Sequence, residues 1–177
     1  MQGNLGSVLY LSGRCDEADV ANRTSLALSP NITFSHYLVG LCEVFRKRPD
    51  RSIAEMQAEP DDTSRLTGLA IAHWSRGDKA QADAWLAQLL RQHSNDAAYN
   101  IATVYAWRAD AAATFTWLDK AVALKDPNLS VIQVEPLFQP VHGDARWLPF
   151  LRRIGRAPEQ LAKIEFKVTL PDQGAPK

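Results

Sequence analysis

Four histidines, two cysteines and several acidic pairs are the residues whose types could do chemistry in this chain. His36, His73, His93 and His142 lie far apart, and none stands in an HExxH or Cys-His spacing that would place two metal ligands on one helical face. His73 instead takes the position that Tyr105 takes 32 residues later, which marks it as a packed, hydrogen-bonded ring. Cys15 and Cys42 are too few and too isolated for a disulfide framework or a zinc site, so a reducing compartment is the simpler setting. Asp16-Glu17, Asp61-Asp62 and Asp110 fall at helix starts or in connectors, where a carboxylate favours the positive end of the helix dipole. No serine stands in a nucleophile elbow and no glycine loop is built to cradle a phosphate. The residues therefore form no catalytic or metal-ligating constellation, imply no cofactor, and predict a protein that is not an enzyme.

Composition narrows the binding classes in the same way. Of 177 residues, 46% are hydrophobic and 23% charged, enough apolar material for a sizeable core in one domain or one continuous array. Twenty basic residues balance twenty acidic ones without a long run of either sign, which gives no electrostatic reason for a nucleic-acid or anionic-membrane partner. The longest basic cluster, Arg46-Lys47-Arg48, reads as a solvated helix end. No apolar stretch reaches the roughly 18 residues of a membrane span, and no signal-peptide pattern opens the chain, which predicts a cytoplasmic location. Met1 stands directly before helical pattern, which reads as a piece cut from a longer protein; a periplasmic setting would follow if that protein were a membrane-anchored regulator.

The elements that must position any binding surface repeat along the chain. Residues 2–30 divide at Gly13-Arg14-Cys15 into two helical patterns, with Asp16 placed to cap the second. A shift of 34 carries this pair onto residues 33–60, where Pro49-Asp50 separates the helices and Glu59-Pro60 ends the second early. Residues 63–94 and 96–127 form two further pairs related by a shift of 32, which superimposes Trp85-Leu86 on Trp117-Leu118. After Pro127 the prolines at 136, 140, 149 and 158 predict turns and short helices over 128–163. Among these is a helix from Asp144 to Ile154, bent or delayed by Pro149 and closed by Gly155. The stretch 164–171 alternates Ile164, Phe166, Val168 and Leu170 with polar residues, so residues 164–177 read as an extended or disordered tail.

These repeats, with Ala102, Ala109, Tyr105, Trp117 and the closing Asp126-Pro127 at their characteristic places, resemble a tetratricopeptide-repeat domain over residues 1–127. The segments Asp126-Pro127-Asn128-Leu129, Val134-Glu135-Pro136-Leu137-Phe138 and Arg146-Trp147 through Gly155 resemble the cap that follows such arrays in many bacterial multidomain proteins. Ser52 and Thr114 depart from the pattern, which usually has a small alanine there. The resemblance implies an all-α, right-handed superhelix of about four helix pairs with a helical cap and a short tail. It also implies a protein-interaction or regulatory role, since similar arrays accompany class III nucleotide cyclases, winged-helix regulators and serine/threonine kinases.

In such arrays the first helix of each pair lines a concave wall. Aligned on Gly6, Gly40, Ala70 and Ala102, the units put Phe34, Tyr37, Leu41 and Phe45 on that wall, then Thr67 and Trp74, then Tyr99, Thr103 and Trp107. Asn100 stands where an asparagine can grip an extended peptide backbone. The expected partner is a protein or peptide held in this aromatic groove. The alternative is self-association, a homodimer formed through residues 164–170.

Overall fold

The computed structural model describes residues 2–165. Eight helices form four antiparallel pairs: α1 (Gln2–Leu11) with α2 (Cys15–Leu28), α3 (Ser35–Phe45) with α4 (Pro49–Ala58), α5 (Asp62–Arg76) with α6 (Lys79–His93), and α7 (Ala98–Trp107) with α8 (Ala111–Ala123). Two 3-10 segments, Pro127–Val131 and Pro136–Val141, follow, then α9 (Trp147–Arg153) and α10 (Pro158–Leu161). First helices stack on first helices, and α2, α4 and α6 each pack against the first helix of the pair that follows. The described residues form an all-α helical repeat, and none of them is in a strand. None of the described helices is long and apolar enough to cross a membrane.

The turn inside each pair needs one residue in the left-handed region: Gly13 at φ 73°, Lys47 at 59°, Gly77 at 86° and Ala109 at 58°. Glycine takes this conformation freely, whereas Lys47 and Ala109 adopt it at a cost of about 1–2 kcal/mol each. Two turns therefore hold their shape through the packing of their helices. The second helix of each pair then approaches its neighbour through one small, fully buried residue: Ala18, Ser52, Ala82 and Thr114. Thr114 is accommodated because its hydroxyl donates to the Asp110 carbonyl at 2.7 Å.

Asp78 and Asp110 cap α6 and α8 by accepting from the Gln81 and Ala113 amides. Asp16 does not cap α2. The helix begins at Cys15 after an uncapped Arg14, which leaves Asp16 in the first turn, exposed and paired with Arg46 at 2.6 Å. That pair opens a ladder of three: Arg46–Asp16, Arg76–Asp50 at 3.4 Å and Arg108–Asp83 at 2.6 Å, each joining the end of a first helix to the preceding second helix. Arg46 is thus a repeated bridging residue and not a solvated helix end. Exposed pairs of this kind contribute about 0–1 kcal/mol, so the ladder acts on the register between repeats more than on stability. Pro149 delays the cap helix, which starts at Trp147, while Asp144 binds back onto the Arg146 side chain and amide.

Each of the last three pairs is also closed by a side chain at its end reaching back to the start of its first helix. Glu59 accepts from the Phe34 and Tyr37 amides at 3.0 Å, and Asp126 accepts from the Tyr99 amide at 3.4 Å. His93 Nε2 lies 2.9 Å from Asp62 Oδ2, with Asp96 at 3.5 Å from Nδ1. The hydrogen bond to Asp62 holds His93 above the ordinary imidazole range. Its stabilising contribution is therefore fully present below the unfolded value of about 6.5 and is lost as pH rises through the higher folded value. The difference in melting temperature between the native chain and His93→Gln is expected to be largest near about pH 5.5 and to shrink toward about pH 8.5. A difference that stays constant over that range would remove the Asp62 contact as its cause.

Candidate functional site

The stacked first helices do not leave one open aromatic groove. The cap folds back across them: the Tyr10 hydroxyl on α1 donates to Glu135 Oε1 at 2.6 Å, joining residues 125 positions apart. Leu137 enters the same buried cluster as Leu9, Leu41, Leu69 and Ile101. Glu135 reaches this place because Pro136 opens the second 3-10 segment, and Glu135 caps it by accepting from the Leu137 amide at 3.2 Å. The wall is thereby divided into a half-open cavity beneath the cap and a wider trough at the other end of the helices.

The cavity, about 140 Å³, is lined by Tyr10, Phe34, Tyr37, Tyr99, Asn100 and Thr103 together with Ser7, Leu11, Leu38, Asn128, Val131 and Glu135. Five residues read from the sequence as a groove meet here: Phe34, Tyr37, Tyr99, Asn100 and Thr103. Phe34 precedes α3 in a left-handed conformation at φ 71°, and its exposed ring stands edge-on to Tyr37 at 6.1 Å. Tyr37 and Tyr99 are buried. Tyr99 packs edge-on against Phe138 at 5.5 Å, and its hydroxyl has no hydrogen-bond partner among the described residues. The Thr103 hydroxyl donates to the Asn100 carbonyl at 2.7 Å.

Burial dominates the electrostatics of this cavity. It raises the Glu135 carboxyl above the usual carboxylate range, against the hydrogen bonds from Tyr10 and Leu137, which favour the ionised form. It also raises the phenols of Tyr10, Tyr37 and Tyr99, with the Glu135 charge adding to the effect in all three.

The trough, about 610 Å³, is lined by Val44, Phe45, Lys47, Pro49, Trp74, Ser75, Arg76 and Trp107. Here the structure brings together three further residues of the sequence reading, Phe45, Trp74 and Trp107, all half-buried. Phe45 and Trp107 meet edge to face at 5.6 Å, and the Trp107 indole N–H donates to the Ser75 hydroxyl at 2.8 Å. The Arg108 guanidinium lies over the Trp74 ring at 4.7 Å. These contacts fix the rings, so a partner meets an aromatic surface that has little rotamer freedom left to lose.

Leu41 does not reach either surface. It is 1% exposed and lies in the core, because successive positions of α3 turn toward α4 and α5 as well as toward the wall. Thr67 is likewise buried, with its hydroxyl donating to the Thr63 carbonyl at 2.7 Å. His73 is buried beside Arg76 and Asp78. Tyr10 and Glu135 are the residues that a repeat-by-repeat reading misses. The available signal is a lone carboxylate inside the apolar run Val134–Phe138, immediately before a proline.

By its fold the chain is an all-α helical repeat with a cap that closes onto its own first helix. No family model matches the chain, and no curated protein matches it.

Proposed function

We propose that this chain is a non-catalytic, tetratricopeptide-type repeat module that binds a protein or peptide, serving as the regulatory or scaffolding part of a larger bacterial signalling protein. The observation that carries the reading is the trough: Phe45, Trp74 and Trp107 come from three successive first helices and present half-buried, fixed rings beside Lys47 and Arg76. Aromatic anchors of this kind supply large contact area at low entropic cost and dominate interface energetics. Arg76 is already paired with Asp50 and Asp78, so the cation left at the rim is Lys47, which takes part in no ion pair among the described residues and favours a peptide with an acidic residue next to an aromatic or aliphatic one.

Peptides selected from a random display library against the native protein test this reading. Trp74→Ala and Trp107→Ala are expected to weaken each selected peptide by about 30-fold apiece, equivalent to about 2 kcal/mol, without loss of the folded state. Tyr37 is a poorer probe because its buried ring supports α3. Affinities left unchanged in both variants would remove the trough from the binding surface.

A second reading, self-association, is favoured by the outer face of α1 and α2, where Leu5, Val8, Val20 and Leu28 are exposed. Terminal repeats normally carry a polar outer face, so an apolar one fits a second copy of the chain. The tail proposed for this role lies outside the described residues beyond Glu165; Ile164 is half exposed. Sedimentation of the same two tryptophan variants separates the readings. A dimer that survives both substitutions while peptide binding is absent would move the function to self-association.

A further inference from the structure

The cavity beneath the cap holds a buried carboxylate that no cation among the described residues offsets. Glu135 takes part in no ion pair among the described residues, and no lysine, arginine or histidine lines the cavity. Its Oε1 accepts from the Tyr10 hydroxyl and the Leu137 amide, while Oε2 has no hydrogen bond among the described residues. A carboxylate offers about four acceptor positions, and two are used here. Partial desolvation of such a group without a counter-ion is unfavourable, and a bound cation offsets it.

The remaining walls suit a cation as well. The rings of Tyr10, Tyr37 and Tyr99 surround the cavity, with Phe34 at its edge. Aromatic faces attract a cation by about 0.5–2 kcal/mol each, most strongly where water is excluded. Tyr99 is 6% exposed and its hydroxyl has no partner among the described residues. A purely apolar guest would leave the carboxylate and this hydroxyl unmet, and an anion would meet Glu135 at close range. The cavity volume of about 140 Å³ is close to that of cavities that hold one benzene, about 150 Å³. This matches a four-carbon stem ending in an ammonium, whose three N–H donors face the carboxylate and the phenol.

We propose that this cavity binds a single alkylammonium group, the ε-ammonium of a lysine side chain on the peptide partner. The inference rests on the peptide-binding reading above and names the residue that the capped end of the wall accepts. A lysine inserted beside Tyr99 and Asn100 places its own backbone against the first-helix wall, in line with a chain continuing toward Trp107.

The test uses the native protein with four probes: n-butylammonium, the neutral isostere n-butanol, and the peptides Gly-Gly-Lys-Gly-Gly and Gly-Gly-norleucine-Gly-Gly. Binding is read from the amide chemical shifts of Tyr37, Tyr99 and Thr103. The ammonium and the lysine peptide are expected to shift these amides saturably, with at least about tenfold preference over their neutral counterparts, from one added charge contact of about 1.4 kcal/mol or more. Glu135→Gln keeps an acceptor for Tyr10 and Leu137, and is expected to abolish the preference without lowering the melting temperature. Should that variant unfold, Tyr99→Phe carries the test, with an expected loss of several-fold in ammonium affinity alone. Equal binding of charged and neutral probes, or no saturable shift at all, overturns the proposal and leaves a water-filled cavity. Binding of n-butylammonium without the lysine peptide overturns the assignment to a partner's lysine. Library peptides that need Trp74 and Trp107 but not Glu135 leave the trough reading intact and remove this one.

Discussion

Replacing Gly68 with alanine is expected to destabilise the protein by about 1–3 kcal/mol, although the same change in an exposed helix interior would stabilise it by about 1 kcal/mol. Gly68 lies in the middle of α5, and a methyl group there would stand 2.0 Å from Met56 Sδ and 2.8 Å from Met56 Cγ and Cε. The obstacle is the root of the side chain as well as its flexible tip. Met56 is fully buried on α4. It has no room to retreat, because its Cε already stands 2.7 Å from where a Cβ on Gly40 would be. The thioether is thus held between the glycine backbones of α3 and α5, and α4 touches both neighbours through this side chain. A smaller side chain at position 56 should relieve the clash. Met56→Ala alone is expected to cost about 2–5 kcal/mol through the cavity it leaves. The double variant Gly68→Ala/Met56→Ala should then cost less than the sum of the two, by a coupling of about 1 kcal/mol or more. Urea unfolding of the four proteins measures the cycle. A Gly68→Ala protein more stable than the native one would mean that helix propensity outweighs the packing of Met56.

This contact also marks where the sequence stops being legible. The helix pairs can be read because their boundaries are written locally: Gly13, Pro49, Gly77-Asp78, Asp110 and Asp126-Pro127 each restrict the backbone by their own chemistry. The two copies of the Trp-Leu step supply the register between the last two pairs. Pro149 and Gly155 give the cap helix a late start and a fixed end for the same local reason. The residues that join one pair to the next carry no such mark. Met56 reads as one apolar residue of a short helix, and only the arrangement of α3, α4 and α5 around it makes Gly40 and Gly68 necessary. The Arg46, Arg76 and Arg108 ladder repeats at the period of the pairs, but its acidic halves also look like ordinary helix-start carboxylates. At the candidate site, residue type gave Phe45, Trp74 and Trp107 a place on the wall, because large aromatics at recurring first-helix positions must lie between helices or on their face. Leu41 could not be separated from them by periodicity alone. Glu135 and Tyr10 meet across 125 positions, a pairing set by the fold-back of the cap; the lone carboxylate before Pro136 marks one partner and nothing local marks the other.

Glu59 presents the second large effect, because it serves the backbone while looking like a surface residue. It stands just before Pro60, in an acidic connector, yet it is 1% exposed. Its Oε1 accepts from the Phe34 and Asp61 amides and its Oε2 from the Tyr37 amide, all at 3.0 Å. Phe34 and Tyr37 span the start of α3, which has no side-chain cap of its own. Glu59 therefore replaces a local N-cap with one supplied by the end of the next helix, and fastens the left-handed Phe34 in place. Glu59→Ala leaves these donors without acceptors. Water can reach the exposed Phe34, but the Tyr37 amide is in a buried setting, where an unmet donor costs about 1–3 kcal/mol. Adding the loss of a helix cap, about 1 kcal/mol, the expected destabilisation is about 3 kcal/mol. Glu59→Gln separates the two sides of the carboxylate. Its carbonyl can still serve Phe34 and Asp61, whereas its amide group would face the Tyr37 N–H as a second donor, so about half of the loss should remain. Denaturant unfolding gives the totals, and hydrogen exchange at Tyr37 locates them. Protection of that amide should fall in both variants before any change at Leu118 or Phe138, because the fault lies at the start of α3. Since Tyr37 and Phe34 also line the cavity beneath the cap, ammonium binding should weaken together with that protection. Unaltered exchange at Tyr37 in Glu59→Ala would show that α3 holds its first turn without the carboxylate.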